Sequence, residues 1–374
     1  MRIVIFNWRD IKNPQSGGAE VLTHEISKVF IRHKHSVIIF TSQFPGGKEK
    51  EEIDGVQIIR RGHPDLRSGI SSVHYLAYKY YQEKKFGEID FLIDEVHGVP
   101  FFTPFYVKEK KVALICEYAG DLWKYAVPFP LSYIAQAFEH TYPLLYKNTP
   151  VITISKSSKK ELSKLFPEKN IDIVYPGCDF PVVKNIPIKP DALTLVFIAR
   201  LSKTKGVEDA IETVNILKRK KVEVKLYIIG RGEEEYLTTL KKSVEKKNLK
   251  NNIVFCGFIS EKEKEQIIDK THFLLAPSRK EGWGLTVHEV GARGVPAVGY
   301  NVQGLREVIV PGVNGELSNL QTPEDLASKC IEIFKDKRRY KKLQEGAISE
   351  RKKFTWEKSG EEFLRLLKVY ENKK

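Results

Sequence analysis

Short apolar runs alternate with segments of helical periodicity along almost the whole chain, and this alternation limits the possible folds most. Between Ile3–Phe6 and Val37–Thr41, two runs with the length of buried strands, apolar residues recur at helical spacing at Leu22, Ile26 and Val29. Further strand-like runs follow at Phe91–Ile93, Val112–Cys116, Val151–Ile154 and Ile173–Tyr175. The pattern predicts an α/β fold with doubly wound parallel sheets, whose ligands bind at the carboxyl ends of the strands.

The alternation stops once and then restarts. Between Pro181 and Pro190 the chain has three prolines and no periodicity, which is typical of a linker. After it, strand-like runs return at Thr194–Ile198, Lys225–Ile229, Val254–Cys256, Phe273–Ala276 and Ala297–Val298. A chain of 374 residues is long enough for two domains with full cores. We therefore predict two Rossmann-like domains, residues 1–184 and 190–355.

Composition narrows the class of protein. No apolar stretch approaches the roughly 20 residues of a membrane-spanning helix. The four cysteines are widely separated and form no metal-type pair, which favours reduced thiols in the cytoplasm. The net charge of +14 is compatible with nucleic-acid binding, with an anionic membrane surface or with polyphosphate ligands. Because the basic residues are scattered and mixed with glutamates, most of them are expected on solvated helix faces.

The sequence EGWGLTVHE carries the clearest sign of a binding site. It follows the strand-like run Phe273–Ala276, and Gly282 and Gly284 permit a tight turn before a helix predicted over 285–293. The first turn of that helix offers unpaired N–H groups to an anion. Glu281 lies before the turn and Glu289 one turn inside the helix. This layout suits a sugar nucleotide, whose diphosphate lies between two hydroxyl-bearing sugars.

A basic pair stands at a second strand end. In ARLSKTKG, Arg200 and Lys205 bracket a turn that precedes a helix starting at Gly206. Two cations at the carboxyl end of a strand can neutralise a diphosphate, although one strand cap and one exposed lysine would look the same. The chain has no Asp-x-Asp triplet and no metal-type histidine cluster, so we expect these cations to do the work of a metal. Neither domain begins with the full dinucleotide fingerprint, which disfavours a nicotinamide enzyme.

Taken together, these motifs resemble family 4 retaining glycosyltransferases of the GT-B fold. EGWGLTVHEVGARGVPAVGY with GLREVI is similar to the family's donor-binding signature, and ARLSKTKG to its diphosphate-binding segment. SGGAE, IIGRGEEE, VFCGFIS, ISKSS and YPGCD extend the likeness to essentially the whole chain. The resemblance implies two Rossmann-like domains facing a central cleft, with the acceptor on the N-terminal domain and the donor on the C-terminal one. It also implies that a terminal helix, residues 356–374, packs back on the N-terminal domain.

The resemblance assigns roles to individual residues. Glu281 would contact the donor sugar and Glu289 the ribose, while Arg200 and Lys205 would bind the diphosphate. The other donor-binding positions supply backbone amides to the phosphates, lie beside the nucleobase or close over the phosphates from the other domain. They are Gly284, Leu285, Thr286, Gly230, Phe258, Ile259, Gly17 and Gly18. No cofactor is expected besides the substrate, a nucleotide diphosphate sugar.

One departure from the family concerns the sugar end of the site. Many members carry a histidine after the strand predicted at Val112–Cys116, where this chain has Glu117. Glu117 could bind a sugar hydroxyl, stabilise positive charge at the anomeric carbon or serve only the structure. On the acceptor side, the segment DEVHG offers Glu95 and His97 as candidate contacts.

The resulting hypothesis is a metal-independent hexosyltransferase. It would move a hexose from a UDP- or GDP-linked donor to a hydroxyl of a glycan or lipid-linked acceptor, with retention at the anomeric carbon. A nucleotide-sugar epimerase or hydrolase of the same architecture remains an alternative, and a nucleic-acid-binding protein a more remote one. The net charge and the apolar segment VPFPLSYIAQAF also allow peripheral contact with an anionic membrane.

Overall fold

The chain divides into two compact units, each with its own parallel sheet. This computed structural model describes residues 1–120, 123 and 129–372. Unit 1 comprises Met1–Gly177 together with Thr355–Lys374, and unit 2 comprises Cys178–Phe354. Both are doubly wound α/β domains, so the predicted fold class is confirmed. The boundaries between the units lie between residues 177 and 178 and between residues 354 and 355. The boundaries predicted from the sequence were the linker at 184–190 and the start of the terminal helix at 355–356.

The described part of unit 1 is built on an eight-stranded sheet. Its strand order is β3-β4-β2-β1-β5-β6-β7-β8, and all neighbours run parallel except β3, which pairs antiparallel with β4 at the edge. The central strands are buried on both faces, as expected for a sheet covered by helices on each side. The strands are β1 Arg2–Phe6, β2 Ser36–Thr41, β3 Lys50–Ile53, β4 Val56–Arg60, β5 Phe91–Glu95, β6 Lys110–Leu114, β7 Val151–Thr153 and β8 Ile171–Ile173.

The helices of unit 1 include the C-terminal helix of the chain. They are α1 Gly18–Arg32, α2 Val73–Gln82, α3 Leu131–Glu139, α4 Tyr142–Leu145, α5 Lys156–Leu162 and α13 Trp356–Asn372. Helix α13 packs on α1, where the Phe30 and Phe363 rings meet edge to face at 5.6 Å. A Cβ at Gly360 would lie 2.3 Å from Cβ of Val29, so only glycine permits this close approach.

Unit 2 has a six-stranded sheet among its described residues, and every neighbouring pair is parallel. The order is β11-β10-β9-β12-β13-β14, which places β9 and β12 at the centre. The strands are β9 Leu193–Ile198, β10 Val224–Ile229, β11 Ile253–Gly257, β12 Phe273–Ala276, β13 Ala297–Tyr300 and β14 Gly315–Ser318. The helices are α6 Val207–Arg219, α7 Glu234–Lys246, α8 Glu261–Asp269, α9 Leu285–Gly291, α10 Leu305–Val308, α11 Pro323–Lys335 and α12 Lys337–Arg351.

The sequence analysis missed some elements and displaced others. Strand β3 escaped notice because KEEI is polar and lies half in solvent at the sheet edge, so it has no apolar signal. Strand β4, VQIIR, was also missed, although its buried Val56 and Ile58 flank the exposed Gln57. The strand predicted at Val112–Cys116 ends two residues earlier, at Leu114. All four cysteines are free. Across the described residues, no helix combines the length and the apolar character that crossing a bilayer requires.

Candidate active site

The carboxyl edge of the unit 2 sheet gathers the residues that the sequence analysis had singled out. Because β9 and β12 are neighbours, the loop that contains Lys205 leaves the sheet beside the loop that contains Glu281. β10 and β11 lie on the other side of β9, and their ends carry Gly230 and Phe258. The predicted donor residues of unit 2 thus leave one edge of one sheet.

Glu281 is held by two side chains. Lys205 Nζ lies 2.8 Å from Glu281 Oε2, and Ser278 Oγ donates to the same oxygen at 3.2 Å. The ion pair is partly open to solvent, since the Lys205 and Glu281 side chains are 24% and 20% exposed. Arg200, the other member of the predicted basic pair, is exposed at the end of β9. A cation and a carboxylate are therefore both partly open to solvent at the centre of the edge.

Two glycines let these loops pack closely. Gly206 has a φ of +72°, and a Cβ there would lie 2.1 Å from the carbonyl oxygen of Pro277. Gly304 has a φ of +77°, and a Cβ there would lie 2.3 Å from the carbonyl oxygen of Glu281. Both positions are in the left-handed region, which glycine adopts without steric cost. The position of Glu281 therefore depends on the loops after β9 and β13.

Helix α9 begins where the Gly-Trp-Gly turn predicted it. Gly284 caps the helix with a φ of +95°, and Leu285 and Thr286 lie in the first turn. An α-helix leaves its first N–H groups without intrahelical acceptors, so these amides can meet an anion.

Glu289, one turn further along α9, is bound by a lysine that the sequence analysis did not identify. Lys264 Nζ on α8 lies 3.1 Å from Glu289 Oε2 and 2.8 Å from Glu261 Oε2. The ammonium also stands 5.0 Å from the centre of the Phe180 ring. Burial alone would lower the pKa of Lys264, but Glu289 and Glu261 outweigh it and raise the pKa above its ordinary value. Lys264 is therefore a fixed cation that orients Glu289.

An exposed aromatic ring marks the outer end of this edge. Phe258, directly after β11, is 72% exposed, and the guanidinium of Arg231 lies 4.3 Å from its ring centre. The amide of Gly230 donates to the carbonyl of Gly257 at 2.8 Å and so joins the two strand ends. Ile259 next to the ring is half-buried. A flat cation on a flat ring offers a stacking surface.

The order of these groups follows the order of the strands. Phe258 follows β11 and Arg231 follows β10. Arg200 and Lys205 follow β9, and Glu281 and the amides of α9 follow β12. Parallel strands lie about 4.8 Å apart, so the distance from β11 to β12 is roughly 14 Å. The edge therefore presents a stacking surface, cations and a carboxylate in that order.

In unit 1, Glu95 is the centre of a buried network at the ends of β1 and β5. Its carboxylate accepts a hydrogen bond from Asn7 Nδ2 at 2.6 Å and another from the Thr23 hydroxyl, and it lies 2.7 Å from His97 Nε2. Burial raises the pKa of Glu95, although His97 and Thr23 act against it. Burial alone would lower the pKa of His97, but Glu95 raises it. Since Glu95 is 1% exposed, contact with an acceptor would fall to the partly open ring of His97.

The predicted glycine loop lies beside this network. Gly17 caps α1, and its amide donates to Glu20 Oε2 at 2.6 Å. Glu20 also accepts from Trp8 Nε1 at 3.2 Å, and the Trp8 ring stacks on His97 with centres 5.7 Å apart. The structure thus brings Gly17 and Gly18 near His97 through Trp8, a residue that the sequence analysis had not singled out.

Glu117 and a group of possible metal ligands both lie in unit 1. Glu117 is half-buried beyond the carboxyl end of β6, the neighbour of β5. In the described part of the chain, one group of three side chains could hold a metal ion, namely His33, Glu357 and Glu361. That group lies where α13 packs on α1, whereas the predicted site residues of unit 1 follow the carboxyl ends of its strands.

The partners of the candidate site residues were harder to predict from the sequence than the residues themselves. Lys264 stands in EKEKEQ, which looks like a solvated helix face, and Arg231 stands in a glycine turn. Neither residue has a signal in the sequence. Lys264 meets Glu289 only because α8 lies beside α9, and Arg231 meets Phe258 only because β10 pairs with β11. Ser278 could have been found, since it precedes Glu281 by three residues.

Two family models together match most of the chain. The model described as glycosyl transferases group 1 matches residues 182–350, and the model described as glycosyltransferase family 4 matches residues 16–180. An uncharacterized glycosyltransferase of Methanocaldococcus jannaschii is 26% identical over 90% of both chains. Several other curated relatives are matched over only about half to three-fifths of their own length.

Solved structures agree in fold over nearly the full length. Sucrose-phosphate synthase from Thermosynechococcus elongatus superposes with a TM-score of 0.83 and 16% identity, covering 98% of each chain. Anabaena HepE in complex with UDP-glucose superposes with a TM-score of 0.75 and 16% identity, covering 99% of this chain and 100% of that one. Together with the two parallel sheets, these likenesses show the GT-B fold.

His288 lies on α9, the helix that carries Glu289, and should make the free energy of unfolding depend on pH. This side chain is buried against the rings of Trp283 and Phe354, and burial, with a further effect of Arg351, lowers its pKa to about 4. As the pH falls below about 6.5, the unfolded chain takes up the proton first, so stability is lost down to about pH 4. Replacing His288→Phe should reduce the slope of unfolding free energy against pH by up to about 1.4 kcal/mol per unit. Urea unfolding between pH 4 and 8 measures this.

The exposed His63 provides the control for that experiment. His63→Gln should leave the slope as in the wild type. A residual slope is expected even in His288→Phe, because burial also lowers the pKa of His74 and of His272 to about 4. An unchanged slope in His288→Phe would show that this imidazole is not held neutral.

Proposed function

The chain belongs to the group 1 glycosyltransferases of family 4, and on that premise we propose that it transfers a hexose from a UDP- or GDP-linked donor to a hydroxyl of a glycan or lipid-linked acceptor. The observation that carries the proposal is the order of groups along the unit 2 edge. A nucleotide sugar has the same order of parts, with a flat base at one end, two phosphates in the middle and a hexose at the other end. HepE, which shares the fold, binds UDP-glucose.

The donor fits the edge part by part. The base would lie beside Phe258 and Ile259, and the ribose hydroxyls would bind to Glu289. The phosphates would be bound by Arg200, Lys205 and the α9 amides, and the hexose by Glu281. At present Lys205 holds Glu281 Oε2 at 2.8 Å. A diphosphate is a stronger partner for the ammonium than one partly exposed carboxylate, because it carries more charge. Binding would draw Lys205 to the phosphates and release Glu281 for a sugar hydroxyl.

We propose that the reaction retains the anomeric configuration through a front-face displacement. The bond between the anomeric carbon and the leaving phosphate oxygen breaks while the acceptor oxygen bonds to that carbon on the same face. The acceptor proton passes to the leaving phosphate oxygen, so no separate base is needed. Arg200, Lys205 and the helix N-terminus stabilise the charge that develops on the diphosphate.

The acceptor would bind to unit 1. His97 keeps a partly open ring beside Trp8, and its bond to the buried Glu95 fixes its orientation. By the family resemblance, Gly17 and Gly18 would contribute to phosphate binding. By the same resemblance, Glu117 would bind the donor sugar at the position where many members have histidine. Among these residues, His97 is the one whose replacement should affect the acceptor rather than nucleotide binding.

Replacing Glu281→Gln tests the donor assignment. The amide keeps the shape of the side chain but loses a charge-assisted hydrogen bond, which contributes about 1.5–3 kcal/mol. We expect kcat/KM to fall by about 10- to 100-fold, measured as release of nucleoside diphosphate from the UDP- or GDP-sugar that the wild type consumes. Full activity in this variant would refute the assignment.

The control and a donor-only reaction complete that test. Glu316→Gln removes a partner of Arg339 on β14, outside the candidate site, and should leave kcat/KM within about twofold. Donor turnover as fast without any acceptor as with one would indicate a hydrolase or epimerase instead.

Lys264→Met should weaken recognition of the ribose. Without the ammonium, Glu289 loses the partner that orients it. In the wild type we expect UDP or GDP to bind about 10- to 100-fold more tightly than its 2′,3′-dideoxy analogue, because the carboxylate accepts from the ribose hydroxyls. In the variant the ratio should shrink to a few-fold. Isothermal titration with both nucleotides measures it.

Lys262→Met serves as the matched control on the same helix, since Lys262 is exposed. It should preserve the ratio between the nucleotide and its dideoxy analogue. A ratio that survives in Lys264→Met would mean that the lysine does not orient Glu289.

We also propose that transfer needs no divalent metal. The cations at the end of β9 stand where the leaving diphosphate would develop its charge, so the protein itself supplies the neutralisation. Initial rates in excess EDTA should match those in Mg²⁺ or Mn²⁺ within about twofold. A loss of activity in EDTA that Mg²⁺ restores would contradict this.

A further inference from the structure

Helix α3 of unit 1 exposes three of its large apolar residues, while the two residues that it buries fully are polar. Leu131, Tyr133 and Ile134 are 45%, 56% and 61% exposed. The buried residues of this nine-residue helix are Ser132 and Glu139. A surface helix of a globular protein normally has the opposite arrangement.

The inward orientation of α3 is held by hydrogen bonds. Glu139 is 3% exposed and accepts from the amides of Ala119 and Gly120, both at 2.8 Å, and from Trp123 Nε1 at 3.1 Å. Turning the helix to bury its apolar face would remove these donors from a buried carboxylate, which is costly. The exposed apolar face is therefore built into the fold.

Phe129, two residues before α3 in the chain, enlarges this face. It is 80% exposed, and its ring meets the Tyr133 ring edge to face at 5.9 Å. We call Phe129, Leu131, Tyr133 and Ile134 the α3 face. All four belong to the segment VPFPLSYIAQAF, whose Val127 and Pro128 lie outside the described residues. Exposed apolar residues grouped in this way mark an interaction surface.

The charge around the α3 face indicates what covers it. Residues 122–160 contain a single carboxylate, that of the buried Glu139. The same stretch contains five lysines, Lys124, Lys147, Lys156, Lys159 and Lys160, the first of which lies outside the described residues. Lys156 is the first residue of α5, which follows β7. Since β7 is the neighbour of β6, Lys156 lies at the same edge of the sheet as the start of the segment that leads to α3. The chain segment that contains the α3 face is therefore basic in sequence.

We propose that the α3 face docks on the surface of an anionic lipid bilayer. Phe129, Leu131, Tyr133 and Ile134 would enter the region between headgroups and acyl chains. The exposed Lys147, Lys156 and Lys160 would contact anionic headgroups. Aromatic residues and lysines together are typical of interfacial segments. The inference deepens the proposed function, because it would hold the acceptor-binding unit at a membrane that carries a lipid-linked acceptor.

Flotation of the full-length protein with vesicles tests this. We use phosphatidylcholine alone and phosphatidylcholine with 30% phosphatidylglycerol, at low and high salt. The wild type should float with anionic vesicles at least tenfold more than with neutral ones, and the preference should shrink at high salt. The double variant Leu131→Gln, Ile134→Gln should lose at least tenfold in binding. The variant Lys147→Glu, Lys160→Glu should lose the anionic preference.

Ile188→Gln is the matched control, because Ile188 is an exposed apolar residue of unit 2. It should bind vesicles as the wild type does. No flotation of the wild type at low salt, or equal flotation of the double variant, would overturn the proposal. Concentration-dependent self-association in sedimentation velocity that the double variant abolishes, without vesicle binding, would assign the face to a second copy instead. Binding of UDP or GDP by the same variants tests the donor site separately, so failure of the two proposals can be told apart.

Discussion

Close packing between the loops after β9 and β12 is the constraint on which the unit 2 site depends. A Cβ at Gly206 would lie 2.1 Å from the Pro277 carbonyl, and the amide of Arg279 donates to the carbonyl of Thr204 at 2.9 Å. The Lys205–Glu281 ion pair joins the same loops, but a partly exposed pair contributes only about 0–1 kcal/mol. Backbone contact therefore holds the loops together, and the ion pair is left free to exchange its partner for a ligand.

Unit 1 follows a different principle, because its polar residues are buried in networks. Arg60 is fully buried and forms two hydrogen bonds with Asp10, at 2.7 and 2.8 Å, in the loop between β1 and α1. Glu95 holds Asn7 and His97 in the same region. Removing one partner of a buried ion pair typically costs about 3–5 kcal/mol. The loop that leads to Gly17 is thus fixed in position, whereas the α3 face is an apolar surface exposed to solvent.

Much of the unit 2 site could be predicted because its signals are local. The Gly-Trp-Gly turn after a short apolar run located the start of α9 at Leu285, and the glycine at 206 located the start of α6. Backbone geometry of this kind is encoded within a few residues. Strand β3 was missed for the converse reason, since an edge strand half in solvent needs no apolar pattern.

By itself, the sequence determined the two α/β domains and the residues at their strand ends, because strand length, helical period and glycine turns are properties of neighbouring residues. Only the tertiary structure decided the partners. Strand order put Lys205 beside Glu281, the packing of α8 on α9 put Lys264 on Glu289, and the inward anchoring of Glu139 turned the apolar side of α3 to solvent. Each depends on which elements meet across the fold, and a contact between residues 25 or 76 positions apart leaves no trace in local pattern.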